Sequence, residues 1–335
     1  MKKAGTFLLA VLVVMLLTLS SCVTQPATSE EEVPEEETPN EELEDIIVAV
    51  GVEGIDIFDV SDPTNPEHLS HLNLDDEARG VYIKDDYAYV TGGNNGLGII
   101  DVSDPTEPKE VVHYDTAGDA FGVYVKDNYA YVADGNNGLV IVDVSDPTEP
   151  KEVVHYDTAG DAFGVYVKDN YAYVADGNNG LVIVDISDPI NPKGVGHYDT
   201  TGEAQGVYVK DNYAYVADGN NGLMIVDISD PNNPEEVSHY DTRGWAWGVY
   251  VKDNYAYVAD GFNGLVIIDV SDPTEPKEVV HYDTAGDAFG VYVKDNYAYV
   301  ADSENGFVIL DISDPENPTL EADMLWYTFY GVSVN

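Results

Sequence analysis

Gly80, Gly122, Gly164, Gly206, Gly248 and Gly290 stand 42 residues apart, and Gly331 follows 41 residues later. A chain that restarts in this way is not divided into ordinary domains. Each unit is one supersecondary element whose apolar faces are covered by the copies beside it. One unit, Gly122 to Phe163, reads GVYVKDNYAYVADGNNGLVIVDVSDPTEPKEVVHYDTAGDAF. It holds four short runs rich in Val, Ile and Tyr (GVYV, YAYVA, LVIVDV and EVVHY), with no helical periodicity, so the runs read as strands. Turn chemistry separates them: KDN, DGNNG with its Asn-Gly pair, and SDPTEP with proline at turn positions. Four strands in about 40 residues predict a propeller blade. The runs are apolar at consecutive positions, as expected of sheets buried on both faces. The fourth mixes Lys and Glu with its valines, which suits an outer edge.

The two ends of the repeat region complement each other. IIVAVGVEGIDIFDVSDPTNPEHLSHLNL supplies a second, third and fourth strand without a first, and GVSVN (Gly331 to Asn335) supplies a first strand. Six whole units and one composite predict an all-β, seven-bladed propeller over 46–335. Each blade has four strands, and the ring closes by pairing the C-terminal strand with the N-terminal three. The SDP motif agrees, occurring seven times, at Asp62, Asp104, Asp146, Asp188, Asp230, Asp272 and Asp314. GLVIVDVSDP and its variants resemble the LVIVD repeat, a propeller-forming repeat of bacterial and archaeal surface proteins. The resemblance covers essentially all of 46–335. It implies an extracellular propeller and brings no agreed catalytic residues with it.

Before the repeats, Lys2 and Lys3 precede the apolar run FLLAVLVVMLLTL (Phe7 to Leu19), which LSSC (Leu19 to Cys22) closes. The apolar run is shorter than the ~20 residues of a spanning helix and reads as an export signal. The small residues before the cysteine resemble a bacterial lipobox. Residues 1–21 are therefore expected to be a lipoprotein-type signal peptide, with cleavage before Cys22 and lipidation of its thiol. An uncleaved membrane anchor is the alternative. Residues 22–45, acidic and without an aromatic, are expected to form an extended, disordered tether. The expected location is extracytoplasmic, at the cell surface or in the periplasm, with the membrane as a partner through Cys22. As Cys22 is the only cysteine, there is no intrachain disulfide. The formal charge of −49, from 63 acidic residues against 14 Lys plus Arg, excludes nucleic acid as a partner, because phosphates would go unneutralised.

Residues present in every blade are read as architecture. Asp59, Asp101, Asp143, Asp185, Asp227, Asp269 and Asp311 end the third strands, and with the SDP aspartates they are expected to organise Pro-containing turns. His71, His113, His155, His197, His239 and His281 fall one per blade on the fourth strand, too far apart to share a metal. Asp134, Asp176, Asp218, Asp260 and Asp302 open the DGNNG loops. Their oxygen-rich setting admits calcium, but the spacing is not that of an EF-hand loop and turn stabilisation explains them. No cofactor or resident metal is expected. Known hydrolase, metalloprotease and phosphate-loop motifs are absent from the sequence.

What remains is where the repeat is broken. TRGWAWG (242–248) stands where three other copies write TAGDAFG. The loop from a fourth strand to the next first strand opens on the same rim as the loop between strands two and three. Trp245, Trp247 and Trp326 all fall in four-to-one loops, as do both arginines, Arg79 and Arg243. Phe121, Phe163, Phe289, Phe329 and Tyr330 join them, and Phe262 lies in a two-to-three loop on that rim. The lysines after residue 45 map to the opposite rim, in contexts such as VKDN and PKE. The residue before each inner-strand glycine is expected to ring the channel mouth: Arg79, Phe121, Phe163, Gln205, Trp247, Phe289 and Tyr330. The phenylalanines can equally plug the channel or pack between blades. Large aromatics in a solvent loop favour a binding site, so Arg243, Trp245 and Trp247 read as its specificity element. The expectation is a non-catalytic binding module for a carbohydrate or a protein ligand. The alternatives are a polysaccharide lyase or hydrolase using Glu203, Asp323 or loop aspartates at the same mouth, and a structural spacer of the envelope.

Overall fold

A computed structural model of the chain describes residues 45–75, 77–93, 96–324 and 328–335. The expected signal peptide, Cys22, nearly all of the acidic tether and Trp326 lie outside the described residues. The repeat region forms seven four-stranded antiparallel sheets. Six are the expected whole units, here blades 2 to 7, each beginning at its glycine. Blade 1 is the composite: Phe329–Val334 pairs with Ile46–Gly51, which continues to Gly54–Asp59 and Glu67–Asn73. The ring is closed as predicted, by strands from the two ends in one sheet.

Second and third strands are apolar at consecutive positions because both their faces are buried. In blade 3, Leu139 to Val142 are all 0% exposed. Seven apolar cores result, each built from two neighbouring blades, as where Ile141 of blade 3 meets Val174 of blade 4. The outer strands are partly exposed, and each carries a bulge against the third strand, as between Ile141 and Val142. Bulges twist an edge away from pairing with other chains.

The inner strands stack round the axis. Tyr82, Tyr124, Tyr166, Tyr208, Tyr250 and Tyr292 follow one another with ring centroids 4.7–5.0 Å apart. Blade 1 has Ser333 in that place. Burial pushes the Tyr166 and Tyr292 hydroxyls up to about 12. On the face opposite the mouth, each inner strand of blades 2 to 7 ends in a lysine that donates to the next blade: Lys168 Nζ reaches the Asp211 carbonyl at 2.6 Å. Lys84, Lys126, Lys210 and Lys252 do the same to Asp127, Asp169, Asp253 and Asp295. Those acceptors have φ of 51–53° or, for Asp295, 49°, a conformation aspartate tolerates better than most residues. The SDP turns are organised as expected, with Ser145 N–H donating to Asp143 at 2.9 Å and Thr148 N–H to Asp146 at 3.0 Å.

Candidate functional site

The mouth is built by alternation along an extended loop. In the loops between blades, Ala120, Ala162, Ala204, Ala246 and Ala288 are fully buried and bridge to Gly93, Gly135, Gly177, Gly219 and Gly261 of the preceding blade. With the alanine pinned inward, the residues on either side of it turn outward, because side chains alternate along extended backbone. One set lies directly before the inner-strand glycines: Arg79, Phe121, Phe163, Gln205, Trp247, Phe289 and Tyr330. Together with Glu77 these seven line a cavity of about 370 Å³. A smaller chamber of about 210 Å³ is lined by the glycines and valines that follow them. Glycine is required there because neighbouring inner strands nearly touch. A Cβ at Gly122 would stand 2.8 Å from the Phe163 carbonyl oxygen, and one at Gly80 2.4 Å from that of Phe121.

The mouth has two aromatic arcs. In the first, the Arg79 guanidinium lies 4.5 Å over the Phe121 ring, which meets Phe163 edge-on at 4.8 Å. In the second, Trp245 and Trp247 are 5.8 Å apart, Trp247 and Phe289 5.0 Å, and Phe289 meets Tyr330 edge-on at 5.3 Å. Buried Gln205 separates them on one side. On the other, Glu77 stands 3.7 Å from Arg79 and, after burial, helps to hold the Tyr330 hydroxyl above its ordinary value.

Of the expected binding residues, all seven of the ring converge on the cavity, while Arg243, Trp245 and Phe262 do not line it. Phe262 is 70% exposed. Arg243 is exposed with φ 70°, where other copies place alanine or threonine in the same conformation. Trp245 is half-buried over Gly219, where a Cβ would lie 3.2 Å from its Cε2. Its Nε1 is buried and meets no acceptor among the described residues. It braces Trp247 more than it offers a platform. Phe329 is not on the rim. It takes the place of the pinned alanine, is 1% exposed, and packs with Phe58 at 6.4 Å and Phe307 at 6.3 Å. Asp323 is not at the mouth either, lying on an outer strand in register with Val308.

The loop aspartates are buried clasps between blades. Thr116 Oγ1 donates to Asp134 at 2.5 Å and Asn137 Nδ2 at 2.8 Å, and Asp176, Asp218, Asp260 and Asp302 repeat the arrangement. Burial raises all five above the ordinary carboxylate range, to about 6 for Asp218 and Asp302. Among the described residues no His, Cys, Asp and Glu group is arranged to hold a metal ion.

Seven consecutive stretches, 46–72, 76–116, 117–158, 159–200, 201–242, 243–284 and 285–324, match the LVIVD repeat. The chain belongs to the LVIVD repeat family. No curated protein matches it. Among solved structures, this LVIVD propeller is similar to a functionally unknown protein from Desulfotomaculum acetoxidans (15% identical, TM-score 0.69, 87% of this chain and 98% of that one). It is also similar to AztD from Citrobacter koseri (13%, 0.60, 87% and 97%) and to BamB from Moraxella catarrhalis (12%, 0.57, 85% and 84%). At these identities the likeness shows the fold alone.

Two features of the LVIVD propeller were missed in its sequence. Glu77 belongs to the mouth; its place two residues before Arg79 was the available signal. In blade 1 buried Asp56 accepts from His68 Nε2 at 2.7 Å and faces His71 Nδ1 at 3.1 Å. Asp56 stands where other blades carry Gly98, Val140, Val182, Met224, Val266 or Val308, and that substitution could have marked it.

Proposed function

We propose that this LVIVD propeller is a membrane-anchored, extracytoplasmic, non-catalytic binding module that takes a carbohydrate or a protein ligand at its aromatic mouth. One observation carries the reading. Arg79, Gln205, Trp247 and Tyr330, which break the phenylalanine written by three other blades, converge with those phenylalanines on one cavity of about 370 Å³, and five of the seven that ring it are aromatic. Repetition alone serves packing; an asymmetric ligand needs the symmetry broken. Aromatic faces with a few polar groups suit stacking and anchoring. Two of the candidates for a lyase or hydrolase lose support, because Asp323 lies on an outer strand and Asp134 and its counterparts are engaged by Thr and Asn, which leaves Glu203 and the exposed loop aspartates for that alternative.

The test is a glycan and surface-protein binding screen, repeated with Trp247→Ala. A binder loses affinity and has no turnover, whereas a spacer is indifferent even to Trp247→Ala combined with Arg243→Ala. Anchoring is tested separately: mass spectrometry of the membrane-bound protein is expected to find an N-terminus at a lipid-modified Cys22. A chain that still carries residues 1–21 and an unmodified Cys22 would favour the uncleaved anchor.

A further inference from the structure

We propose that the ligand of the mouth is a small organic cation, with a quaternary ammonium or alkylammonium group held over the Trp247–Phe289–Tyr330 arc, with acidic residues on the surrounding loops. The proposal rests on the mouth being a binding site, and names the chemistry it takes.

The alternation that aims the aromatics also builds a second ring two residues earlier in each loop. Five of its positions are acidic: Glu77, Asp119, Asp161, Glu203 and Asp287. Asp119, Asp161 and Asp287 are exposed. Carboxylate and aromatic share a footing: a Cβ at Gly135 would lie 3.5 Å from Asp119 Cβ and 3.4 Å from Phe121 Cε2. The other two positions are Trp245 and Thr328, so apolar surface replaces an acid beside Trp247.

The mouth already holds one cation on an aromatic face, Arg79 over Phe121 at 4.5 Å, with Glu77 at 3.7 Å to offset its charge. The second arc has no such resident among the described residues, since Arg243, in the same loop as Trp247, does not line the cavity. Every lysine among the described residues lies at the far end of an inner strand or the start of an outer one, none at the mouth. With a chain charge of −49, the surrounding potential draws cations toward the opening. A neutral sugar would stack but leave the carboxylates unused, and an anion would meet repulsion. A cation uses ring faces and carboxylates together.

The experiment titrates choline and its uncharged isostere, 3,3-dimethylbutan-1-ol, into the full chain in a non-ionic polyoxyethylene detergent, reading tryptophan fluorescence and heat. Choline is expected to bind at least about tenfold tighter than the isostere, and to lose about tenfold on Trp247→Ala. The double variant Glu203→Gln, Asp287→Asn, which removes the acids of the loops beside that arc, should weaken choline and reduce its salt dependence. No choline binding, or equal binding of the two probes, overturns the proposal. If the isostere or a neutral glycan binds and Trp247→Ala weakens it, the mouth stands and the cation chemistry falls. If binding of every probe ignores Trp247→Ala, the mouth reading falls as well. A lysine-rich peptide that binds where choline does not overturns the small-cation assignment in favour of a macromolecular partner.

Discussion

Aspartate serves both faces of the ring, and the two sets respond oppositely to the same kind of partner. On the mouth face Asp218 takes the Thr200 hydroxyl at 2.5 Å and the Asn221 amide at 3.0 Å, yet burial pushes its carboxyl up to about 6. On the opposite face Asp146 takes the Thr148 hydroxyl at 2.7 Å and backbone N–H at 3.0 Å in open solvent. Those bonds hold its carboxyl below the ordinary range. Desolvation opposes the charged form while donors favour it, so access to water decides the sign. The mouth-face set clasps blade to blade, and the opposite set shapes turns within a blade.

The comparison presumes a closed ring, so opening the ring has the largest expected effect. Deleting Val332–Asn335 removes most of the inner strand that pairs with Ile46–Gly51 and uncovers the core shared by blades 7 and 1. The cooperative thermal transition should be lost, as followed by circular dichroism. A full-amplitude, unshifted melt would mean that the seam does not hold the fold.

Next comes Asp218→Ala, which strands the buried Thr200 hydroxyl at a cost of about 1–3 kcal/mol and leaves the Asn221 amide with the Thr200 carbonyl and Thr201 hydroxyl. Denaturant titration measures it, and a neutral result would reduce the clasp to an incidental contact.

A smaller effect is the pH profile. Asp218 and Asp302 hold a proton more tightly folded than unfolded, so their contribution is complete below the ordinary value of 3.8 and is lost as pH rises through about 6. Asp104, Asp146 and Asp272 behave oppositely, losing their contribution as pH falls below 3.8. Stability should peak near pH 4 and decline toward 6, with a shallower decline in Asp218→Asn. A melting temperature that climbs steadily from pH 4 to 7 would contradict the burial argument. Smallest of all, Asp146→Ala should barely move the melting temperature, its carboxylate being solvated either way.

Most of the architecture was written in the sequence because it is repeated. Strands, turns, blade number and closure each appear several times, and a pattern stated seven times is hard to misread. The seven mouth positions were legible for the same reason: each precedes a glycine that only a close neighbour explains. Single substitutions were less transparent. Phe329 looked like one more rim aromatic, but local spacing does not reveal that it occupies the pinned-alanine site and fills the seam against Phe58 and Phe307. Trp245 read as exposed because the loop around it is polar elsewhere, whereas the glycine beneath it leaves room for the indole to lie down. The burial of the loop aspartates depends on Thr116 and its counterparts in the preceding blade, a partnership across 18 residues that a turn motif does not encode.

Lys294, at the far end of the inner strand that starts beside Phe289, donates both to Asp45 at 2.5 Å and to the Asn335 carbonyl. Five residues of extended chain, roughly 17 Å, separate that lysine from the aromatic opening. The polypeptide thus enters and leaves the ring from its back. A sensor chip coupled through Asn335 would hold the protein with its opening toward the flowing solution, and a reporter fused there would not crowd a visiting ligand.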